Sequence, residues 1–148
     1  MVRRSNENEV QAVRALARLA RLLERSSGDL NLAHYRVLSA VAEGHERAAR
    51  VADRLALGKP TVSAAVESLT KRGLLAREDV AEDRRAATLS LTPVGEKALA
   101  AVEVEMLGWI DDLVGRTPDP ERVLESLGQL GEALDELAAE RAAKRRAR

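Results

Sequence analysis

The stretch Val51–Leu75, VADRLALGKPTVSAAVESLTKRGLL, limits the fold more than any other part of the chain. Val51, Ala52 and Leu55 share one face of a short helix expected to close at Gly58, and Val62, Val66 and Leu69 form a buried stripe on a second. Pro60 sits in the first turn of that second helix, where the amide it lacks would have no intrahelical partner anyway. Gly73 stops it. Lys59, Thr61, Ser63, Ala64, Glu67, Ser68 and Lys71 then face wholly or partly outward. Two short helices joined by a Gly-Lys-Pro turn over a common Val/Leu/Ala core have the order of a helix-turn-helix.

Immediately after it, LLARED and AATLSLT can pair as a hairpin in which Ala87, Leu89 and Leu91 alternate with Thr88, Ser90 and Thr92. The tip between them has no Asn-Gly or Asp-Gly, so a longer exposed loop is expected, carrying Glu82, Asp83, Arg84 and Arg85.

The flanking segments read as helices. Val10–Arg25 places Val10, Val13, Leu16, Ala17, Ala20 and Leu23 at three- and four-residue steps, with Arg14, Arg18, Arg21 and Arg25 mostly opposite. Leu30–Gly44 continues through Leu32, Tyr35, Leu38 and Val41 or Ala42 towards a cap at Gly44. Pro93 opens a run with Leu99, Val102, Met106, Ile110 and Leu113 or Val114, broken by Arg116–Pro120. From Glu121 the apolar positions are Val123 or Leu124, Leu127, Leu130 or Gly131, Leu134 and Leu137. Gly128 and Gly131 admit another helix closely or mark a bend, and Lys144–Arg148 reads as a frayed or solvated tail. A small strand fits around Arg47–Ala49.

The expected fold is mainly α with a small β-hairpin: a winged helix-turn-helix at 31–92, between an N-terminal dimerisation helix within 1–30 and C-terminal dimerisation helices within 93–148. The middle has its own core, so the leucines of the end helices are expected to pair with a second subunit.

Composition narrows the function. With one Trp, one Tyr and no Phe, the core must be Leu, Val and Ala, which suits close helix packing. Absence of cysteine excludes disulfides, thiolate nucleophiles and thiol redox sensing. His34 and His45 alone offer imidazole, and no metal site is announced by their spacing. The carboxylates Asp111, Asp112, Glu132, Asp135 and Glu136 fall on polar helix faces, without a phosphate loop or a nucleophile–base spacing, so neither enzyme nor cofactor is expected. There is no apolar run of about 18 residues and no signal-peptide core, so a cytoplasmic protein without membrane attachment is expected. Lys and Arg number 24 and Asp and Glu also 24, so any nucleic-acid surface must come from gathering positive groups on one face.

VADRLALGKPTVSAAVESLTKRGLLARED followed by DRRAATLSLTPVGEKAL resembles the MarR family of bacterial winged-helix transcriptional regulators, from roughly Val10 to Leu137 and most densely from Leu38 to Ala98. The resemblance implies a homodimeric repressor or activator on a pseudo-palindromic double-stranded operator, with recognition at Pro60, Thr61, Ser63, Ala64, Glu67 and Ser68. Thr61 and Ser63 can bond phosphates or base edges, and Lys59, Lys71 and Arg72 suit backbone contact near the helix ends. Many members have a long basic side chain where this chain has Ala64, which shifts readout towards Ser63, Ser68 or DNA shape. In the wing, Asp83 and Arg85 match an Asp-x-Arg arrangement in which the arginine lies in or beside the minor groove and the aspartate orients it; Arg84 reads as a phosphate contact. The resemblance also implies a small-molecule effector crevice, for which Arg14, His34, Tyr35 and Trp109 are the candidates; Tyr35 reads equally as a core or interface residue, Trp109 as an interface residue and Arg14 as part of a solvated helix face. The alternative is a winged-helix protein-interaction module that has lost specific DNA binding.

Overall fold

The protein is described by a computed structural model covering residues 6–26, 28–78 and 87–147. Its elements are α1 (Glu7–Ser26), α2 (Leu32–Ala42), α3 (Ala48–Leu55), α4 (Lys59–Lys71), β1 (Leu75–Glu78), β2 (Thr88–Leu91), α5 (Pro93–Val114) and α6 (Pro120–Arg146). This is the expected mainly helical chain with one small hairpin. The strands are antiparallel, pairing Leu75 with Leu91 and Glu78 with Thr88.

Local chemistry sets the helix starts. Asn6 and Glu9 cap α1 reciprocally, the Asn6 side chain accepting from the Glu9 amide at 2.9 Å and the Glu9 carboxylate from the Asn6 amide at 3.2 Å. Asn31 accepts from the His34 amide at 2.8 Å, Thr92 from the Gly95 amide at 3.0 Å and Asp119 from the Arg122 amide at 3.1 Å. Prolines occupy the first turns of α4, α5 and α6.

Three expectations change. The first helix of the pair ends at Leu55, because Ala56 takes the left-handed conformation (φ 51°) and closes the helix; Gly58 is the N-cap of α4 instead. No strand forms at Arg47–Ala49: Arg47 caps α3, and the one strand-like link is the Leu89 amide donating to the Glu46 carbonyl at 2.6 Å. Of the alternatives for α6, the frayed tail and the bend do not occur: the helix runs unbroken through Gly128 and Gly131 to Arg146, with Lys144, Arg145 and Arg146 exposed.

The core joins α2, α3, α4 and the hairpin through Val37, Leu38, Val51, Val62, Leu69, Leu75 and Leu89, all fully buried, and extends to Leu99, Val102 and Met106 of α5. Ala65, not singled out in the sequence, belongs to the buried face of α4. A tight joint fixes the hairpin to α5: the Thr92 hydroxyl donates to the Gly73 carbonyl at 2.6 Å, the Thr92 amide donates to the Leu74 carbonyl at 3.2 Å, and Gly95 lies against that same carbonyl so closely that a Cβ would stand 2.0 Å from its oxygen. Towards the C-terminus α6 packs on α3, burying Ala138 and Ala142.

Candidate nucleic-acid interface

Helix α4 is held by its inner face. Val62, Ala65, Val66 and Leu69 are buried against α2 and α3, so the positions between them must point outward. Lys59, Pro60, Thr61, Ser63, Ala64, Glu67 and Lys71 are exposed and Ser68 is half-buried. At 1.5 Å per residue the row from Lys59 to Lys71 spans about 18 Å, and a bare helix of this kind fits a B-form major groove about 12 Å wide. Small side chains at Thr61, Ser63 and Ala64 keep this outward surface low.

The two ends of α4 differ. At the start, Gly58 supplies no side-chain cap and no acidic residue occupies the first turn, so the amides there and the Lys59 ammonium favour an anion such as a phosphate. At the far end, Lys71 Nζ lies 2.8 Å from Glu67 Oε1. That hydrogen bond and the attached charge attraction lower the Glu67 carboxyl and raise the Lys71 ammonium from their ordinary values. Arg72 caps the helix and donates to the Asp29 carbonyl at 3.2 Å, fastening the end of α4 to the loop before α2. A groove of about 400 Å³ runs beside this end, lined by Ala48, Ser63, Glu67, Lys71 and Arg77 among others. Arg77, on β1, was not among the sequence candidates; its signal was its place at the base of the wing. Asp83, Arg84 and Arg85 lie outside the described residues.

The four effector candidates lie on three helices, Arg14 on α1, His34 and Tyr35 on α2 and Trp109 on α5. His34 is half-buried at the start of α2; burial, then the nearby Arg72 charge, lowers its pKa, and its Nδ1 is buried without a hydrogen-bond partner. Tyr35 turns towards other groups: burial and the carboxylates of Glu103 and Glu43 raise its hydroxyl, opposed by a hydrogen bond with Ser39. Trp109 is 49 % exposed on α5, in a shallow depression with Val104, Glu105, Gly108 and Asp112. Arg14 is exposed on α1. No group of three or more His, Cys, Asp or Glu side chains suited to a metal ion occurs among the described residues, and no helix among them is long and apolar enough to cross a membrane.

The sequence model of the MarR family matches residues 28–86, which hold α2, α3, α4 and β1 and reach into the wing. No curated protein matches the sequence significantly. Among solved structures, BpsR from Bordetella bronchiseptica, whose DNA binding is regulated by 6-hydroxynicotinic acid, is similar at 23 % identity and a TM-score of 0.69, over 90 % of this chain and 97 % of that one. MOSR from M. tuberculosis, solved in complex with DNA, is similar at 21 % identity and a TM-score of 0.64, over 86 % and 96 % of the two chains. MarR from Staphylococcus aureus, in complex with salicylate and kanamycin, is similar at 20 % identity and a TM-score of 0.68, over 88 % of each. At these identities the likeness establishes the fold.

Proposed function

We infer, from the match of the MarR family model to residues 28–86, that this chain is a MarR-type winged helix-turn-helix regulator, a homodimeric repressor which binds a pseudo-palindromic DNA operator through α4 and the wing and releases it in response to a small molecule. DNA-binding regulation is the family's activity, and it is not enzymatic. The observation that carries the finer reading is the division of α4 into a buried inner face and an outward row of small and hydroxylated side chains with Lys59 at its open start. Dimerisation is supported by the apolar side chains that α1, α5 and α6 leave exposed. A small-molecule effector rests on analogy with BpsR, whose DNA binding is regulated by 6-hydroxynicotinic acid, and with the S. aureus protein bound to salicylate and kanamycin; the repressor role rests on the family resemblance.

In this reading the two α4 helices of a dimer enter successive major grooves about 34 Å apart. Thr61 and Ser63 meet base edges or nearby phosphates, Glu67 and Ser68 meet base edges, Lys59, Lys71 and Arg72 meet the backbone, and Arg85, oriented by Asp83, meets the minor groove beside Arg84 on a phosphate. Selection of bound fragments from genomic DNA by the purified protein tests it. Recovered fragments should share an inverted repeat; recovery without a shared sequence would contradict specific recognition. On such a fragment, Arg85→Ala should weaken specific binding by more than one phosphate contact, while Arg84→Ala should weaken all duplexes evenly and lower the salt slope by about 1. Asp83→Ala should also weaken binding, the opposite of what removing a negative charge beside DNA does by simple electrostatics.

A further inference from the structure

Helix α6 carries two unlike faces. Asp135, Ala138, Ala142 and Arg145 follow one another at steps of three, four and three residues and so lie along one side. That side is laid on α3, with Ala138 and Ala142 only 8 % and 5 % exposed. An ion pair closes each end of the seam: Arg54 of α3 with Asp135, and Asp53 of α3 with Arg145 at 2.6 Å. Arg54 also reaches Glu43, at the end of α2, at 3.3 Å. On an adjacent side of α6, Leu130, Leu134 and Leu137 stand exposed.

Between the ion pairs the buried side chains of α6 are alanines, which offer no large group to key into α3. The charges therefore add direction to this contact. Asp53 and Arg54 are neighbours of opposite sign on α3, and α6 answers them with Arg145 and Asp135, so a slip of one turn would break both pairs. Pairs this exposed contribute little to stability. Their effect is on orientation, and what they orient is the first helix of the helix-turn-helix, which packs directly on α4.

We propose that the C-terminal half of α6 is an orienting arm for the helix-turn-helix, with Asp135 and Arg145 as positioning residues that set where α4 points relative to the leucine face of α6. This rests on the DNA-binding reading above. It assigns a role in operator recognition to side chains on the helix beyond α5, which belong to neither α4 nor the wing: they fix the separation of the two half-sites the protein prefers.

The test uses the full-length chain with Asp135→Lys, which sets a lysine against Arg54, the conservative Asp135→Glu, and Glu136→Lys as a control with the same charge change on the far face of α6. Hydrogen exchange without DNA should rise in α3 and in the last three turns of α6 for Asp135→Lys alone. On operator duplexes with half-sites at the selected spacing or moved by one base pair either way, the preference for the selected spacing should fall about threefold for Asp135→Lys, the scale of one partly exposed ion pair. It should be unchanged for Glu136→Lys and restored by Asp135→Glu. Arg145→Gln, at the other end of the seam, should act in the same direction and serves if Asp135→Lys melts early. An unaltered spacing preference in both disrupting variants, or an equal loss in the Glu136→Lys control, overturns the proposal. A wild-type chain that binds no duplex overturns the regulator reading and this role with it, while hydrogen exchange still reports separately whether the seam exists.

Discussion

Leucine meets two fates in this molecule. In the winged-helix region Leu38, Leu69, Leu75 and Leu89 come from α2, α4, β1 and β2 and are wholly enclosed, each surrounded by side chains of other elements. In the outer helices Leu16, Leu107, Leu130 and Leu134 stand between 51 and 63 % exposed on equally regular amphipathic helices. The first region satisfies its apolar surface within one chain. The second leaves its apolar stripe exposed within the single chain, which is the observation behind the proposed homodimer. α6 belongs to both regions, since one side of it is seated on α3 and the neighbouring side is bare.

The sharpest way to break this contrast is to remove the same side chain from each region. Leu69→Ala should cost about 3 kcal/mol in urea unfolding, the range for a cavity in a closed core, whereas Leu134→Ala should change the intrinsic stability of the subunit by less than about 0.5 kcal/mol. Equal costs would erase the distinction. Gly95→Ala should match or exceed Leu69→Ala, because its Cβ would overlap the Leu74 carbonyl oxygen at 2.0 Å and backbone on both sides would have to shift.

Next in size is the effect of charging the bare face. Leu130→Glu with Leu134→Glu should raise the dimer dissociation constant about a hundredfold in sedimentation equilibrium, as expected for two apolar anchors. A wild-type chain that sediments as a monomer at micromolar concentration would remove the reason for the exposed leucines.

A smaller effect should come from His34, inside the closed region. Burial and Arg72 disfavour its charged form, so the folded chain binds that proton more weakly than the unfolded chain does. As pH falls through the ordinary histidine value near 6.5 the unfolded state takes up the proton first, and stability declines towards acid. Melting temperatures between pH 7.5 and 5.5 should show that slope in the wild type and a shallower one in His34→Gln. The least effect on folding should come from the Glu67–Lys71 pair: both side chains are exposed, so Glu67→Ala should leave the melt unchanged and yet lower the preference for the selected operator over a scrambled duplex, because a base-edge contact is lost.

The helix-turn-helix was readable because two strong local signals, the 3.6-residue spacing of Val62, Val66 and Leu69 and the Gly-Lys-Pro turn, agree with each other. The end of α3 was misplaced because a glycine two residues on seemed the natural terminator, while the left-handed turn was taken up by Ala56, a residue with no special preference for it. The Arg47–Ala49 strand was overcounted because one backbone bond from Leu89 to Glu46 does the work a strand would. The α3–α6 seam left almost no trace in the sequence: alternating alanines and charges at Asp135–Arg145 look like a solvated face, and only the fold shows that Asp53 and Arg54 lie opposite.

The account stands on α4 as a reader of DNA sequence, and the most direct measurement is the affinity of the wild-type chain for its selected operator against a scrambled duplex of equal length and composition, at several salt concentrations. The account predicts a specific affinity about a thousandfold or more above the scrambled one at physiological salt, with both falling as salt rises. Equal affinities for the two duplexes at every salt concentration would contradict it.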